Sequence, residues 1–255
     1  MSETVEVPVE LTLFGGTLRA RVPVPAGNVT PEELMEQFAS ISGAVVHMSV
    51  RAAEQRGKKV SCRKGCSACC KQLVPIAETE AYRLVKLVNA MPGARRAEVL
   101  ARFERVRARL EREGLTEQVM HSNRLLDHER AELSRRYFGL GEPCPFLEND
   151  ACSLYPEWPM VCREYMVTSP AEWCATLDPR VEPLPLAMGP GTALYWINSG
   201  PDDTRAPVVP LSMLMEWAKN MPEPPPARPG PEVLLTFLDR MADALCKDAP
   251  ERSES

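Results

Sequence analysis

The first two dozen residues alternate between apolar and polar positions. Every second residue from Val5 to Leu13 is apolar, and after Gly15-Gly16 the same alternation runs from Leu18 to Val24. Successive side chains of a strand point to opposite faces, so this alternation predicts two strands, and the glycine pair predicts the turn between them. We therefore expect residues 1–27 to form a β-hairpin.

The pattern changes to a helical one after residue 28. Thr30, Pro31 and Glu33 supply an N-cap, a first-turn proline and a capping-box acid, and the helix they begin should run to about Arg56. Its apolar positions recur in steps of three and four, which predicts one buried face. These positions are Leu34, Phe38, Ile41, Val45, Met48 and Ala52.

Further helices are predicted where the same period returns. The stretches concerned are 81–88, 99–110, 116–137, 211–220 and 232–247, with Pro92-Gly93 and Gly114 as breaks and Pro222 to Pro231 as a linker. Between them, residues 142–188 contain eight prolines, which prevent a long helix. We expect a mainly α fold, in which residues 28–248 form a helical domain with a proline-rich, irregular loop region, and residues 249–255 a disordered tail.

Composition and charge narrow the class of protein. With 44% apolar residues in 255, the chain can bury a sizeable core without help from a metal. A net charge of -5 argues against binding to nucleic acid, and we find no secretory signal and no apolar run long enough to cross a membrane. A cytoplasmic protein is expected, and in that compartment nine cysteines point to metal binding or catalysis more than to disulfides.

Four cysteines are clustered near residue 65: Cys62, Cys66, Cys69 and Cys70. On a helix their thiols would form one stripe, whereas in a loop Gly65 would let the chain wrap around an ion. The interleaved Arg63, Lys64 and Lys71 should favour the thiolate form that metals require. Adjacent side chains diverge, so the neighbouring Cys69 and Cys70 would serve different ions, or one of them would lie outside the coordination sphere.

A second cluster lies in the proline-rich region, at Cys144, Cys152, Cys162 and Cys174. The prolines should present these thiols rigidly, which reduces the entropy lost when an ion binds. We expect Arg163 to donate a hydrogen bond to a thiolate or a carbonyl. Aromatic residues nearby should exclude water from the site, and these are Phe146, Tyr155, Trp158, Tyr165 and Trp173.

At these motifs the chain resembles the YkgJ-type cysteine-cluster family, a zinc- or iron-chelating domain. The resemblance rests on CxxxCxxCC from Cys62 to Cys70, on CPFL from Cys144 to Leu147, and on C-x2-Y-x3-P-x2-CR from Cys152 to Arg163. It covers roughly residues 61–174 and implies metal binding through the cysteines. Trp158 departs from the pattern, since the family usually has arginine there. Some members join such a cluster to methyl transfer, but no glycine-rich cofactor loop supports that activity here.

Two functions remain open from the sequence. In the first, the eight clustered cysteines bind an iron-sulfur cluster, with 4Fe-4S favoured, and the protein takes part in redox or modification chemistry. In the second, they bind two zinc ions in a structural interaction module without catalytic activity. The residues name no substrate and no reaction. A protein partner docking on the hairpin and the C-terminal helices is a further hypothesis.

The ninth cysteine and the histidines have simpler interpretations. Cys246 should pack in the core, because it follows the apolar positions of the last predicted helix. His47, His121 and His128 are not adjacent to the cysteine motifs, so we expect them to be structural or solvated.

Overall fold

The structure of the protein is a computed structural model that describes residues 3–200 and 203–247. The predicted tail at 249–255 lies outside these residues. About half of the chain is helical, which supports the mainly α prediction, and the strands form small antiparallel pairs. The helices are α1 (Met35–Gln55), α2 (Glu78–Ala90), α3 (Gly93–Arg112), α4 (Thr116–Met120), α5 (Asp127–Gly139), α6 (Met160–Glu164), α7 (Ala171–Cys174), α8 (Pro190–Tyr195), α9 (Leu214–Trp217) and α10 (Gly230–Lys247).

The strands pair two by two. They are β1 (Thr4–Leu13), β2 (Gly16–Pro25), β3 (Asn28–Val29), β4 (Pro75–Ala77), β5 (Leu147–Glu148), β6 (Ala151–Cys152), β7 (Val208–Pro210) and β8 (Arg228–Pro229). The pairs are β1 with β2, β3 with β8, β4 with β7, and β5 with β6. Short 3-10 helices occur at Pro31–Leu34, Ala68–Lys71, Ser122–Arg124, Leu211–Met213 and Ala218–Asn220.

The N-terminal β-hairpin is confirmed, with its turn one residue earlier than predicted. Leu13 pairs with Gly16, so the turn residues are Phe14 and Gly15, both with positive φ (51° and 78°). Left-handed backbone at both positions is typical of the tight turns that join two antiparallel strands. One face of β1 is buried, as the alternation of its residues predicted.

The first core lies between this hairpin and three helices, α1, α8 and α10. The predicted apolar face of α1 is confirmed, with Phe38 and Val45 fully buried and Met48 packed at the edge. The rings of Phe38 and Phe237 lie 4.3 Å apart and join α1 to α10. The capping box is also present, since Glu33 accepts a hydrogen bond from the Thr30 backbone N–H at 2.7 Å. Hairpin and helices are thus held by one hydrophobic cluster.

Two further clusters lie behind the cysteine region. One gathers α2, the first half of α3, β4, β7 and the buried Phe146, and the other joins the second half of α3 to α4 and α5. Cys144, Cys152 and Trp158 pack against the first of these two clusters. The cysteine region therefore rests on a hydrophobic support formed by α2 and α3.

The single helix predicted from Thr116 to Tyr137 is wrong. The chain breaks between α4 and α5, where Leu126 is extended and its backbone N–H donates to the Glu129 carboxylate at 2.8 Å. The Leu126 side chain is 62% exposed, so the apolar stripe that a continuous helix needs is interrupted at its middle. The helix predicted at 211–220 is also divided, into α9 and two flanking 3-10 turns.

Within the described ranges, every helix is too short or too polar to cross a lipid bilayer.

Candidate metal centre

The first cysteine segment is a loop between α1 and β4. Cys62 and Cys66 lie in irregular backbone on either side of Gly65, whose φ is 87°, and Cys69 and Cys70 lie in the 3-10 helix that follows. Of the two geometries considered from the sequence, the loop is therefore the one observed. The turn at Gly65 needs a left-handed backbone, which glycine adopts without strain.

Hydrogen bonds fix both ends of this loop to the second cysteine segment. Ser61 donates through its backbone N–H to the Val167 carbonyl at 3.0 Å and through its hydroxyl to the Ser169 carbonyl at 2.5 Å. At the other end, the Cys144 N–H donates to the Cys70 carbonyl at 2.7 Å. The two segments, separated by more than seventy residues in sequence, are thus in direct contact.

The second segment begins with a miniature hairpin. Leu147 of β5 pairs with Cys152 of β6, and the intervening Asn149 and Asp150 have φ of 48° and 58°. The hairpin is held to the support by Phe146, which is fully buried and meets the Phe103 ring edge-on at 5.3 Å. Cys152 therefore ends the hairpin and Cys144 lies just before it, and Cys152 is close enough to contribute to the raised pKa of Cys144.

The other two cysteines of this segment lie on short helices. Cys162 is in the middle of α6, and Cys174 is the last residue of α7 and is buried. The other seven described cysteines are half-buried, and all eight are free thiols. Metals bind the thiolate, and only cysteines that are not in disulfides can supply it.

The thiols raise one another's pKa, which shows that they share one neighbourhood. Burial raises the pKa of Cys144 to about 12, with Cys152 and Cys69 adding to the rise. Burial also raises the pKa of Cys162, aided by Cys144, Glu80 and Cys69. Each contribution reports the nearby charge of another thiolate or carboxylate.

Cys69 of the first segment affects the pKa of thiols in both segments. A hydrogen bond with the Cys70 side chain, followed by burial, raises the pKa of the Cys69 thiol. Burial and then Cys62, Cys69 and Cys66 raise that of Cys174. Two groups of thiols are therefore near Cys69. The first contains Cys62, Cys66 and Cys174, and the second contains Cys144, Cys152 and Cys162.

In the part of the chain that the structure describes, no three side chains of His, Cys, Asp or Glu are arranged so that they could hold a metal ion as they stand. The thiols share a neighbourhood, but metal binding would require their side chains to turn towards a common point. The chemistry of the donor set fits such an ion, because clustered cysteines free of disulfides are suited to zinc and to iron-sulfur clusters.

The basic residues of the first segment do not act as predicted. Arg63, Lys64 and Lys71 are exposed, whereas the pKa of Cys62 is raised, by burial first and by Cys66 and Cys69 as well. Water screens the charge of exposed cations, so they do not outweigh the burial of the thiol. For Cys62 and Cys69, whose pKa values are raised, the expected activation by neighbouring cations is therefore wrong.

Arg163 supports the backbone that leads into α6. Its Nε donates to the Trp158 carbonyl at 3.0 Å, its Nη2 donates to the Pro156 carbonyl, and its guanidinium lies over the Trp158 ring at 5.7 Å. Of the two partners considered from the sequence, a carbonyl is the one observed.

The aromatic residues differ in exposure. Phe146 is fully buried and Trp158 packs against the support, as expected for residues that exclude water, but Tyr155 is 73% exposed and Tyr165 is 37% exposed. The shielding role predicted for Tyr155 is therefore wrong. Tyr165 lies near the thiols, because burial and then Cys174, Cys69 and Cys62 raise its pKa, and its shielding role stays a prediction. Trp173 is half-buried under the Arg180 guanidinium, at 4.4 Å.

The histidines are solvated, as expected. His47 and His128 are exposed, and His121 lies 3.6 Å from the Glu117 carboxylate on the same helical face.

Sequence reasoning missed two buried carboxylates beside the second group of cysteines, those of Glu80 and Glu164. Burial raises the pKa of Glu164 to about 7, and it also raises the pKa of Glu80. Glu80 occupies the third position of α2, where an acid is usual as part of a capping box, so no sequence pattern placed it near Cys162.

Comparison with known proteins agrees with this region of the chain. Residues 61–177 match the family model CxxCxxCC, described as "Putative zinc- or iron-chelating domain". The matched range contains all eight clustered cysteines and confirms the resemblance inferred from their motifs. Searches among curated proteins and among solved structures gave no significant match. The family match supports metal binding in general.

Proposed function

We propose that this chain, whose residues 61–177 match the zinc- or iron-chelating domain, binds metal through Cys62, Cys66, Cys69, Cys70, Cys144, Cys152, Cys162 and Cys174. The observation that carries the proposal is the contact between the two cysteine segments, with the Cys144 N–H bonded to the Cys70 carbonyl and Cys69 raising the pKa of thiols in both groups. Free cysteines brought together from distant segments are typical of a metal site. A reducing compartment such as the cytosol would keep them available.

The first candidate function is iron-sulfur binding, with 4Fe-4S favoured. Four thiolates would hold one cluster, leaving the other four for a second centre or a structural role. Such a cluster supplies one-electron transfer, and the protein would use it in redox or modification chemistry. The chain supplies the environment of the thiolates. The hydrophobic cluster that contains Phe146, with Trp158 packed against it, lowers the contact of the thiolates with water. Burial and hydrogen bonds tune the reduction potential of a bound cluster.

The second candidate is a structural module with two zinc ions. The effects on thiol pKa favour it. After burial, Cys62, Cys69 and Cys66 raise the pKa of Cys174, whereas Cys144, Cys69 and Cys152 contribute to raising that of Cys162. If Cys69 and Cys70 joined different groups, each ion would have four thiolates. Closed sites of this kind leave no open position for catalysis.

Anaerobic purification followed by metal and sulfide analysis and a visible spectrum distinguishes the two candidates. A brown protein containing iron and acid-labile sulfide supports the first, and a colourless protein with about two zinc ions per chain supports the second. A protein that contains neither metal after anaerobic purification, and takes up neither on reconstitution, would contradict both.

A further inference from the structure

Two buried carboxylates hold the two ends of α6, the helix that carries Cys162. Glu80 comes from α2 and is 3% exposed, and Glu164 is the last residue of α6 and is 8% exposed. Burying a carboxylate costs free energy unless its oxygens accept hydrogen bonds. The hydrogen bonds that these two carboxylates accept therefore show which elements hold α6 in position.

Glu80 fixes the start of α6. Its Oε2 accepts the Ala77 N–H at 3.0 Å, which caps its own helix, and its Oε1 accepts the Met160 N–H at 2.7 Å. Met160 is the first residue of α6, where a backbone N–H has no partner within the helix. One carboxylate thus joins the first turns of α2 and α6.

Glu164 fixes the other end. Its Oε1 accepts the Gly191 N–H at 2.9 Å and the Ser42 hydroxyl at 3.1 Å, which joins α6 to α8 and to α1. The backbone of α8 comes so close that a Cβ at Gly191 would lie 3.0 Å from both Glu164 Oε2 and Val161 Cγ1. A side chain at Gly191 would therefore displace both residues, which lie on either side of Cys162 in the chain.

We infer that Glu80 and Glu164 are positioning residues for the Cys162 thiolate, an inference that rests on the proposed metal binding. Helix α6 has five residues, and a helix that short has little stability of its own. Its placement beside Cys144 and Cys152 depends on contacts from outside, and the two carboxylates supply one at each end. Groups that orient a ligand in this way commonly change metal affinity tenfold to a hundredfold when replaced.

Glu80→Gln and Gly191→Ala test this inference, with Glu78→Gln as the matched control. Glu78 lies in the same first turn of α2 and is half-buried, but the Ala77 and Met160 N–H groups donate to Glu80 rather than to it. Each protein would be loaded with Co²⁺ alone, and its affinity measured by competition with a chelator. The cobalt-thiolate charge-transfer and d–d bands report the number and geometry of the sulfur ligands.

We expect Glu80→Gln to lower Co²⁺ affinity by about tenfold or more and to alter the d–d bands. Gly191→Ala should change the same bands by displacing Val161 and Glu164, and Glu78→Gln should resemble the wild type. A merely structural role would lower the melting temperature and leave affinity and bands of the folded protein unchanged. That result in both variants would overturn the inference.

The experiment separates this inference from the proposed function. Wild-type protein that binds no Co²⁺, zinc or iron through its cysteines contradicts the proposed function itself. Wild-type protein that binds Co²⁺ with thiolate bands, beside two variants with the same affinity and bands, contradicts the positioning role alone. If Glu80→Gln does not fold, as judged by circular dichroism, the milder Gly191→Ala decides the question.

Discussion

Cys69 and Cys70 occupy the point where the two cysteine segments meet. The Cys70 carbonyl accepts the Cys144 N–H, while the Cys69 thiol raises the pKa of Cys62, Cys144 and Cys174. Adjacent residues in a 3-10 helix direct their side chains differently, so one thiol can serve each group. Each of the other six clustered cysteines belongs to only one of the two groups.

Replacing Cys162 by serine should remove metal and destabilise the protein. The thiol is half-buried on α6, and its loss leaves the second group one ligand short. Cys246→Ser is the matched control, because Cys246 lies near the end of α10 and belongs to neither segment. Metal content per chain, measured after anaerobic purification, should fall in Cys162→Ser and stay at the wild-type value in Cys246→Ser. Equal metal content in both variants would be evidence against this assignment of ligands.

At the scale of single residues, the sequence identifies the cysteines but not what surrounds them. Their spacing marks them as a group, whereas the role of Glu80 depends on Met160, eighty positions away. Contacts at such separation follow from the packing of whole helices, which no local pattern encodes. For Lys64 and Lys71, by contrast, the sequence suggested an effect that the structure does not show. These lysines are close to the cysteines in sequence and were expected to favour the thiolates, but water screens their charges.

Among the secondary-structure elements, the most regular patterns were predicted best. The hairpin and α1 each show a clear period over many residues, and both are observed with the expected face buried. The stretch 116–137 is mostly polar, with few apolar positions, so its period did not reveal the break at Leu126. The pairing of β4 with β7 could not be predicted, because each strand has three residues and the partners are distant.

The contact between α10 and the hairpin depends on Gly230. A Cβ at this position would lie 2.1 Å from the Pro25 carbonyl oxygen, so Gly230→Ala must push the first turn of α10 away from β2. We expect a loss of about 2 kcal/mol or more in the free energy of unfolding, measured by urea denaturation.

Gly43→Ala provides the control for this substitution. Gly43 is an exposed residue inside α1 with open space where its Cβ would be, so alanine should raise stability, by up to about 1 kcal/mol. A Gly230→Ala variant as stable as Gly43→Ala would show that the hairpin and α10 are not packed as described.

On the scale of the whole molecule, the cysteine region touches the first core at α6, where Met160 belongs to that core, but most of it rests on a different hydrophobic cluster. The first core joins the hairpin, α1, α8 and α10, while the cysteines rest on the cluster formed by α2, α3 and Phe146. The inner face of the hairpin is occupied by this core, so any partner that docks there must use its outer face. The partner and the division into domains at residue 27 stay predictions.

Removing the metal should therefore loosen the cysteine segments and leave the helices of the first core folded. Hydrogen exchange, compared between metal-loaded and chelator-treated protein, should show protection lost in residues 58–72 and 142–177. Protection in α1 and α10 should not change, because their hydrophobic contacts do not involve the cysteines. A loss of most of the helical circular dichroism on chelation would contradict the expectation that α1 and α10 stay folded without the metal.

X-ray absorption at the metal edge of anaerobically purified protein tests the shared thiolate centre most directly. The spectrum counts the atoms bound to the metal and identifies their element. We predict a first shell of about four sulfur atoms, at about 2.3 Å if the metal is zinc. A first shell made mainly of nitrogen or oxygen would show that the two cysteine segments do not bind the metal together.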